Sequence, residues 1–487
     1  MSSTLYDEEW EKYAQYFPAS AEHSSTSYSA ARKEELRTTP LVSLDVKHST
    51  EAKQGETFFP QYALLGRHVS GHDHTSSAEP ILMNTNAPNS TFICGSQGSG
   101  KSYTLSCMLE NCLRQDHGLG TLVKPLTGVI FHYDRNGAGA VAEAASLCTM
   151  GVKVRVLVSR SWYYKLAAPY SAVPGATDKN MEVLPLLFQD HHLEADRILK
   201  LMALSGSDNA MPLYMDVLLR ILRDTAVNGK QLTLADLDRQ LSEQLFAPSQ
   251  RVMLEMRMGL LLRSFCVSSA KQALAEAQAR VPGKANKTRL ARLQPPIPEQ
   301  DLFAMQPGTL TIIDLTDPFV DASTACVLFD MCLGLITSGK HLDGSGGLIL
   351  TTIRMQRHCA ARVLVATQEP TISERLLDLC SVSIVHRFSS PAWFTAIRDH
   401  LGGASALTTL VEEQQAMFER IVGLPVGESL VFSPASYVCM KGGEPEKLGS
   451  GVMRMQTRMR KGGDAGRSVL SMRCNEGDDM VSGWMLN

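Results

Sequence analysis

The chain has 487 residues, of which 44% are hydrophobic and 20% charged, and its formal net charge is -3. These values are typical of a globular protein with about two to three domains. A charge so close to zero excludes a protein that is basic over its whole surface, so any binding to DNA or to an anionic membrane has to be local.

The cysteines and the apolar segments indicate in which cellular compartment the protein is expected. The eleven cysteines are scattered without a CxxC pair, which favours free thiols in a reducing compartment, the cytoplasm or the nucleus. The first residues are polar and acidic and do not resemble a secretory signal. The longest nearly apolar run, residues 325–336, is short for a bilayer and contains Asp330, so we predict no membrane span.

Five regions follow one another along the chain. Residues 1–55 are rich in Ser, Thr, Lys and Glu without periodicity, which is typical of a disordered N-terminal arm. Residues 56–182 alternate apolar strands with helical patterns. Residues 183–300 have helical periodicity almost throughout, which predicts an all-α insertion. The alternation resumes over 301–440, and 441–487 form a C-terminal strand and tail. This order predicts an α/β fold with one doubly wound, mostly parallel sheet.

One glycine-rich segment has a phosphate-binding pattern. The spacing G-x-x-x-x-G-K-S, known as Walker A, is filled by Gly95, Gly100, Lys101 and Ser102, between a short apolar strand and an amphipathic helix. Glycines let such a loop wrap phosphates, and the helix N-terminus favours anions. Lys101 would reach the β- and γ-phosphates and Ser102 would bind Mg²⁺. The predicted phosphate-binding loop comprises Gly95, Ser96, Gln97, Gly98, Ser99, Gly100, Lys101 and Ser102.

Adenine is the favoured base, by elimination. A guanine-specific site usually has an NKxD motif after the phosphate-binding loop, but the nearest string, Asn286 to Arg289, lacks the Asp. We therefore predict Mg-ATP, with ATP and Mg²⁺ as cofactors.

Three residues at strand ends are candidates for hydrolysis. Asp314 ends the strand TLTIID and would bind Mg²⁺, although an Asp at a strand exit is equally typical of a turn. Gln368 ends RVLVATQ and would contact the γ-phosphate or orient water, or else satisfy a loop. Arg387 ends SVSIVHR and would act as an arginine finger, or form a surface salt bridge.

Basic residues form two clusters, and the last predicted strand alternates in polarity. Both clusters are compatible with nucleic-acid contact or a pore lining, and equally with solvated surface or a charged edge strand. Their members are Arg354, Arg357 and Arg362, and then Arg458, Arg460 and Lys461. The alternation in VMRMQTRMR predicts that Met453, Met455 and Met459 share one face.

Several segments together resemble the HerA/FtsK group of P-loop ATPases, which includes the type IV secretion coupling proteins. They are ICGSQGSGKS, LTIIDLTDPF, IRMQRHCAARVLVATQEPTIS, IVHRF and GLPVGESLVF. The likeness covers roughly residues 80–440 and is greatest to the eukaryotic, AAA-like branch. It implies a P-loop NTPase core, a γ-phosphate sensor at Gln368 and a loose match for Arg387. It also implies hexameric rings that move DNA or protein through a central pore.

The chain departs from this family at one point. Family members have an acidic strand, ending in Asp-Glu or Glu-Glu, between the helix that here ends near Ile336 and the strand that starts at Arg362. No such strand is evident here, so by this mapping Asp314 is not the Walker B acid and the catalytic Glu is missing. Either the protein is a degenerate ATPase, or the sequence lacks a short coding piece near Lys340.

Three functions therefore remain open. The first is an ATP-driven motor of the HerA/FtsK type acting on DNA or another polymer. The second is a nucleotide-binding pseudo-ATPase or scaffold with little turnover. The third is a non-enzymatic interaction protein that works through its helical middle.

Overall fold

A computed structural model of the chain describes residues 25–69, 79–134, 141–203, 213–229, 231–259, 263–337, 353, 356, 360–368, 372–401 and 411–463. The strands are β1 (Leu41–Ser43), β2 (Tyr62–His68), β3 (Pro80–Met83), β4 (Asn89–Cys94), β5 (Gly120–Thr121), β6 (Gly128–His132), β7 (Lys153–Val158), β8 (Met181–Pro185), β9 (Thr309–Asp314), β10 (Arg362–Thr367), β11 (Val382–His386), β12 (Glu428–Phe432), β13 (Tyr437–Lys441), β14 (Glu444–Lys447) and β15 (Met453–Thr457).

The helices are distributed along the whole described chain. They are α1 (Ser25–Arg37), α2 (Leu44–Gln54), α3 (Lys101–Leu113), α4 (Tyr163–Ser171), α5 (Ala195–Ala203), α6 (Leu213–Val227), α7 (Leu234–Ser242), α8 (Pro248–Arg257), α9 (Val267–Ala279), α10 (Lys284–Arg292), α11 (Ala322–Thr337), α12 (Glu374–Asp378), α13 (Pro391–Arg398) and α14 (Val411–Val422). Within the described ranges, none is long and apolar enough to serve as a transmembrane segment.

The described strands form two sheets. The smaller has the order β6-β9-β7-β8 and is parallel throughout. The larger has eleven strands in the order β10-β4-β11-β12-β15-β2-β3-β1-β13-β14, with β5 beside β2, and is parallel only at β10-β4-β11 and β1-β13. The α/β class is correct, but among the described strands the large sheet is mostly antiparallel, contrary to the mostly parallel sheet expected. Antiparallel neighbours can be joined by a tight hairpin, as β13 and β14 are.

The two sheets meet beneath α3. This helix contacts β4 and β10 of the large sheet and β6 of the small one. One apolar cluster, which includes Ile93 of β4, Met108 of α3 and Leu310 of β9, continues from one sheet to the other. Strands β6 and β10 are only half-buried, whereas their inner neighbours β9 and β4 are buried throughout. In the described part of the chain, β6 pairs only with β9 and β10 only with β4.

The N-terminal region differs from its expectation. Where a disordered arm was predicted for residues 1–55, the structure has α1, β1 and α2 from Ser25 onward, and residues 1–24 lie outside the described ranges. Strand β1 pairs with β3 and β13, and all three of its residues are buried. Ser43 caps α2 by accepting a hydrogen bond from the Val46 N–H at 3.3 Å. A short apolar stretch inside a polar region thus forms an inner strand of the large sheet.

The segment from 183 to 300 contains helices α5 to α10, which lie between strands β8 and β9 of the small sheet. Its helices bury an apolar cluster that includes Leu218, Leu237 and Phe265. On β15, Met453 and Met455 are buried on one face as expected, but the third buried position of the strand is Thr457. Met459 lies beyond the end of the strand and is 62% exposed, so its predicted place on the buried face is wrong.

Candidate phosphate-binding site

The glycine-rich segment forms a loop between β4, which ends at Cys94, and α3, which begins at Lys101. Gly95, Gly98 and Gly100 have φ values of 152°, 73° and 107°, a region that L side chains rarely adopt. Space also restricts two of these positions. A Cβ on Gly95 would lie 2.6 Å from Ser99 Oγ, and a Cβ on Gly100 would lie 3.2 Å from the Gly427 nitrogen. The glycine spacing therefore matches the backbone that these positions require.

The loop leads into a helix N-terminus suited to an anion. Helix α3 has 13 residues, its N-cap is Gly100, and no side chain caps its first turn. The first N–H groups of a helix have no partner within the helix, and the helix dipole places partial positive charge there. Ser102, in that first turn, is exposed. Uncapped amide groups beside an exposed hydroxyl provide donors for phosphate oxygens and one oxygen ligand for a cation.

Lys101 is folded into the loop that it follows. Its Nζ donates a hydrogen bond to the Ser96 carbonyl oxygen at 2.7 Å, and the residue is only 6% exposed. Burial lowers the pKa of Lys101, and the neighbouring Cys94 opposes that shift. A buried ammonium held by one neutral carbonyl gains strongly from an anionic partner. The side chain is thus placed to exchange the Ser96 carbonyl for a phosphate oxygen.

Beneath the loop lies His386, a residue that the sequence reasoning missed. It ends β11 and is fully buried, with its Nδ1 3.0 Å from the Glu428 carbonyl oxygen and its Nε2 3.0 Å from Thr104 Oγ1. Since a carbonyl only accepts, Nδ1 carries the proton and Thr104 donates to Nε2. Burial lowers the pKa of His386 to about 4, with Lys101 acting in the same direction. The imidazole is therefore neutral near pH 7.

This histidine joins the loop to the late strands of the chain. A Cβ on Gly95 would lie 2.7 Å from the His386 Cβ, so His386 lies directly against the loop. Thr104 Oγ1 is also 2.9 Å from Thr457 Oγ1 on β15. The sequence contains one indication of this role. In IVHRF the alternation of a strand places His386 on the face opposite Arg387, which makes it a second candidate for the site.

Of the three predicted catalytic residues, two lie beside the loop. Strand β10 is parallel to β4 with Thr367 opposite Cys94, so Gln368, which is exposed, follows next to Gly95. Arg387 contacts the loop through its backbone, because its carbonyl oxygen accepts hydrogen bonds from the Ser96 N–H at 2.9 Å and the Ser96 hydroxyl at 3.0 Å. Its side chain is exposed, as an arginine finger would have to be.

The structure does not bring Asp314 to the loop. It lies at the end of β9 in the small sheet and is fully buried. Its carboxylate accepts hydrogen bonds from the Tyr170 hydroxyl at 2.6 Å and the Thr316 N–H at 2.9 Å. Among the described residues, no carboxylate pairs with Lys101. Asp314 is therefore placed as a structural acid in the small sheet.

Each residue of the C-terminal basic cluster forms an ion pair with a carboxylate. Arg458 is buried and pairs with the buried Glu110 of α3 at 2.8 Å. Arg460 is 2.9 Å from Glu143, and Lys461 is 2.8 Å from Asp116. Arg458 and Arg460 are thus mostly buried in ion pairs, whereas the Lys461 side chain stays 43% exposed beside its partner. Of the other basic cluster, Arg354 and Arg357 lie outside the described residues, and Arg362 bonds to the Thr85 carbonyl oxygen at 2.8 Å.

A second constellation has ligand atoms close enough for a metal. Within the described ranges, His191, His192 and Asp301 alone form such a group. The Gln189 N–H donates to Nδ1 of His192 at 3.2 Å, so the proton of the neutral ring is on Nε2, which faces Asp301 at 3.6 Å. Burial lowers the pKa of His192 to about 4. Nδ1 of His192 is thus engaged by the Gln189 N–H, which leaves Nε2 as the ring nitrogen that faces Asp301.

Comparison with known proteins adds little to this geometry. No protein-family model matches the chain, and no curated protein matches it. Among solved structures it is similar to the monomer form of the pCW3 conjugation coupling protein TcpA with ATPγS, with 14% identity, a TM-score of 0.27 and coverage of 82% of this chain. The matched part spans 66% of that protein. A TM-score this low does not establish a common fold, so function is argued from the site alone.

Proposed function

We propose that this chain binds a nucleoside triphosphate, as Mg-ATP, on the loop from Gly95 to Ser102. The observation that carries the proposal is the uncapped N-terminus of α3 joined to a loop of three positive-φ glycines, with the buried Lys101 folded across it. A triphosphate satisfies all three features at once, because it supplies oxygens to the free amide groups and charge to the ammonium.

Mg²⁺ fits this site through a hydroxyl. Ser102 Oγ is exposed in the first turn of α3, where it would share the ion with the β- and γ-phosphates. The ion would supply charge that neutralises the phosphates. The preference for adenine rests on the sequence, which lacks an NKxD motif in the order that a guanine site requires.

We further propose that the bound nucleotide is turned over slowly, which makes the protein a nucleotide-binding scaffold. The observation that favours this is Asp314, whose carboxylate is buried and engaged by Tyr170 and Thr316. Hydrolysis in this class of site requires an acid to help hold Mg²⁺ and a base or polar residue to orient water.

An ATP-driven motor of the HerA/FtsK type is the alternative. It is favoured by Gln368, which follows β10 directly beside the loop and could contact a γ-phosphate, and by the exposed Arg387. In that case a hexameric ring would act on DNA or another polymer, with Arg387 reaching a neighbouring subunit. The C-terminal cations do not support DNA binding, because they are paired within the chain.

Calorimetry tests whether the chain binds Mg-ATP at this loop. We expect wild-type protein to bind Mg-ATP and the Lys101→Ala variant to bind it at least about tenfold more weakly, since a charge-assisted contact is lost. Lys165→Ala, which removes an exposed lysine of α4, should leave binding unchanged. Equal affinity of Lys101→Ala and wild type would refute the site.

Turnover decides between scaffold and motor. Phosphate release from Mg-ATP should be slow in wild-type protein, with or without double-stranded DNA. Brisk release that is abolished in Lys101→Ala and lowered in Gln368→Ala would favour the motor and overturn the scaffold.

A further inference from the structure

A cavity of about 460 Å³ is lined by Tyr103, the residue that follows the phosphate-binding loop, and by Gly427, which bonds to that loop. Its walls include Tyr103, Val426, Gly427, Gln456 and Met459. Its volume is within the range of small-molecule pockets, which is about 300–1,000 Å³. Nothing in the binding of phosphates by the loop itself requires this space.

Two of the lining residues connect the cavity to the loop. Tyr103 follows Ser102 in the first turn of α3, so it adjoins the amide groups proposed to bind phosphate. On the opposite side, the Gly427 N–H donates to the Ser99 carbonyl oxygen at 3.4 Å. The loop contacts only the triphosphate, so the attached nucleoside has to extend beyond the loop. Between Tyr103 and Gly427, which both line the cavity, it would extend into the cavity.

The chemistry of the walls suits a flat heteroaromatic group. Val426 and Met459 keep apolar surface exposed, at 39% and 62%, and Tyr103 adds an aromatic ring that the Arg460 guanidinium overlies at 5.1 Å. Arg67 Nε donates to Gln456 Oε1 at 2.7 Å, which holds the amide in place. The amide NH₂ of Gln456 has no partner in the described part of the chain and can donate to a ring nitrogen. Stacking surface with a few fixed donors is how proteins hold bases.

We propose that this cavity is the base subsite of the nucleotide, in which Val426, Met459 and Tyr103 flank the base and Gln456 donates to its ring nitrogens. This inference rests on the proposed function. It assigns the specificity of the site to residues from β15 and from the segment before β12, which lie more than three hundred positions from the loop in sequence.

The test compares two probes, Mg-ATP and magnesium tripolyphosphate, by calorimetry on the full chain. In the Val426→Trp variant the new ring fills the cavity. ATP affinity should fall by about tenfold or more, because the base loses its stacking contacts, while tripolyphosphate affinity should stay within about twofold of wild type. Val422→Trp, at a position of α14 that is 40% exposed and outside the cavity lining, is the matched control and should change neither.

Each outcome bears on one proposal. Unchanged ATP affinity in Val426→Trp overturns the base subsite, as does a wild type that binds tripolyphosphate as tightly as ATP. Equal loss of both probes shows that Val426 supports the loop and not the base, which also overturns it. Failure of wild-type protein to bind either probe refutes the nucleotide site itself. If circular dichroism shows that Val426→Trp is unfolded, Met459→Trp, at a 62% exposed position, replaces it with the same criteria.

Discussion

His386 makes the stability of the phosphate-binding region depend on pH. Its pKa is about 4 when folded, against about 6.5 for an unperturbed imidazole, because the buried ring resists protonation. Between these values the unfolded chain binds a proton that the folded chain does not. The contribution is therefore fully present above about pH 6.5 and is lost as pH falls towards 4, by at most about 3 kcal/mol.

Urea unfolding at pH 7 and pH 4.5 measures this effect. The loss of stability between these pH values should be smaller in His386→Gln than in wild type, since a glutamine does not titrate. His192, whose pKa is also lowered to about 4, contributes equally in both proteins and cancels in the difference. The same pH dependence in both proteins would show that His386 does not carry the effect.

The loop glycines differ in what a side chain would meet. Gly95→Ala should cost about 2–4 kcal/mol of stability, because its Cβ would lie 2.6 Å from Ser99 Oγ and 2.7 Å from the His386 Cβ. Gly98→Ala has open space within 4 Å and bears only the strain of a φ of 73°, about 1–2 kcal/mol. Equal costs in chemical denaturation would contradict the role of His386 as a support beneath the loop.

Helix α3 is held near its C-terminal end by a buried ion pair. Arg458 Nη1 is 2.8 Å from Glu110 Oε2, and both side chains are almost completely buried. Other nitrogens of the guanidinium bond to the Leu64 carbonyl oxygen at 2.8 Å and to Asn111 Oδ1 at 2.9 Å. One side chain thus connects the residues after β15 with β2 and with the helix that starts at the phosphate-binding loop.

Breaking this pair should be costly. Arg458→Met leaves Glu110 buried without its partner, so the free energy of unfolding should fall by about 3–5 kcal/mol. The nearby Lys461→Met breaks a partly exposed pair with Asp116 and should cost less than about 1 kcal/mol. The double variant Arg458→Met, Glu110→Leu should recover part of the loss, because no charge stays unpaired. A full loss in the double variant would show that the cost is one of packing.

At the scale of the whole molecule, β1 joins the N-terminal region to the last hairpin. In the described sheet, β13 and β14 reach the other strands only through β1. Val42 lies opposite both Leu82 of β3 and Tyr437 of β13. Val42→Asp would place an unpaired charge in a fully buried position, so hydrogen exchange over Tyr437–Lys447 should accelerate by orders of magnitude. Asp45→Asn, at an exposed position, should leave it unchanged.

Local patterns were predictable from the sequence, whereas pairings between distant segments were not. The strand–loop–helix unit around Lys101 depends on glycine spacing and apolar period, both of which are local. The separation of β9 from β4 depends on which strands pair, and no local pattern encodes that. For the same reason Asp314 could be recognised as a strand-end acid but not placed. The strand LVS of β1 was missed because three residues are too few to show a period.

The residues that contact the loop come from the C-terminal part of the chain, and this determines when the site can form during translation. Residues 95–104 leave the ribosome early, but His386, Gly427 and Thr457 emerge only hundreds of residues later. For most of its synthesis, a nascent chain therefore contains the complete motif but not the residues that contact and support the loop. A product of premature termination before β15 would therefore keep the signature and lack the site.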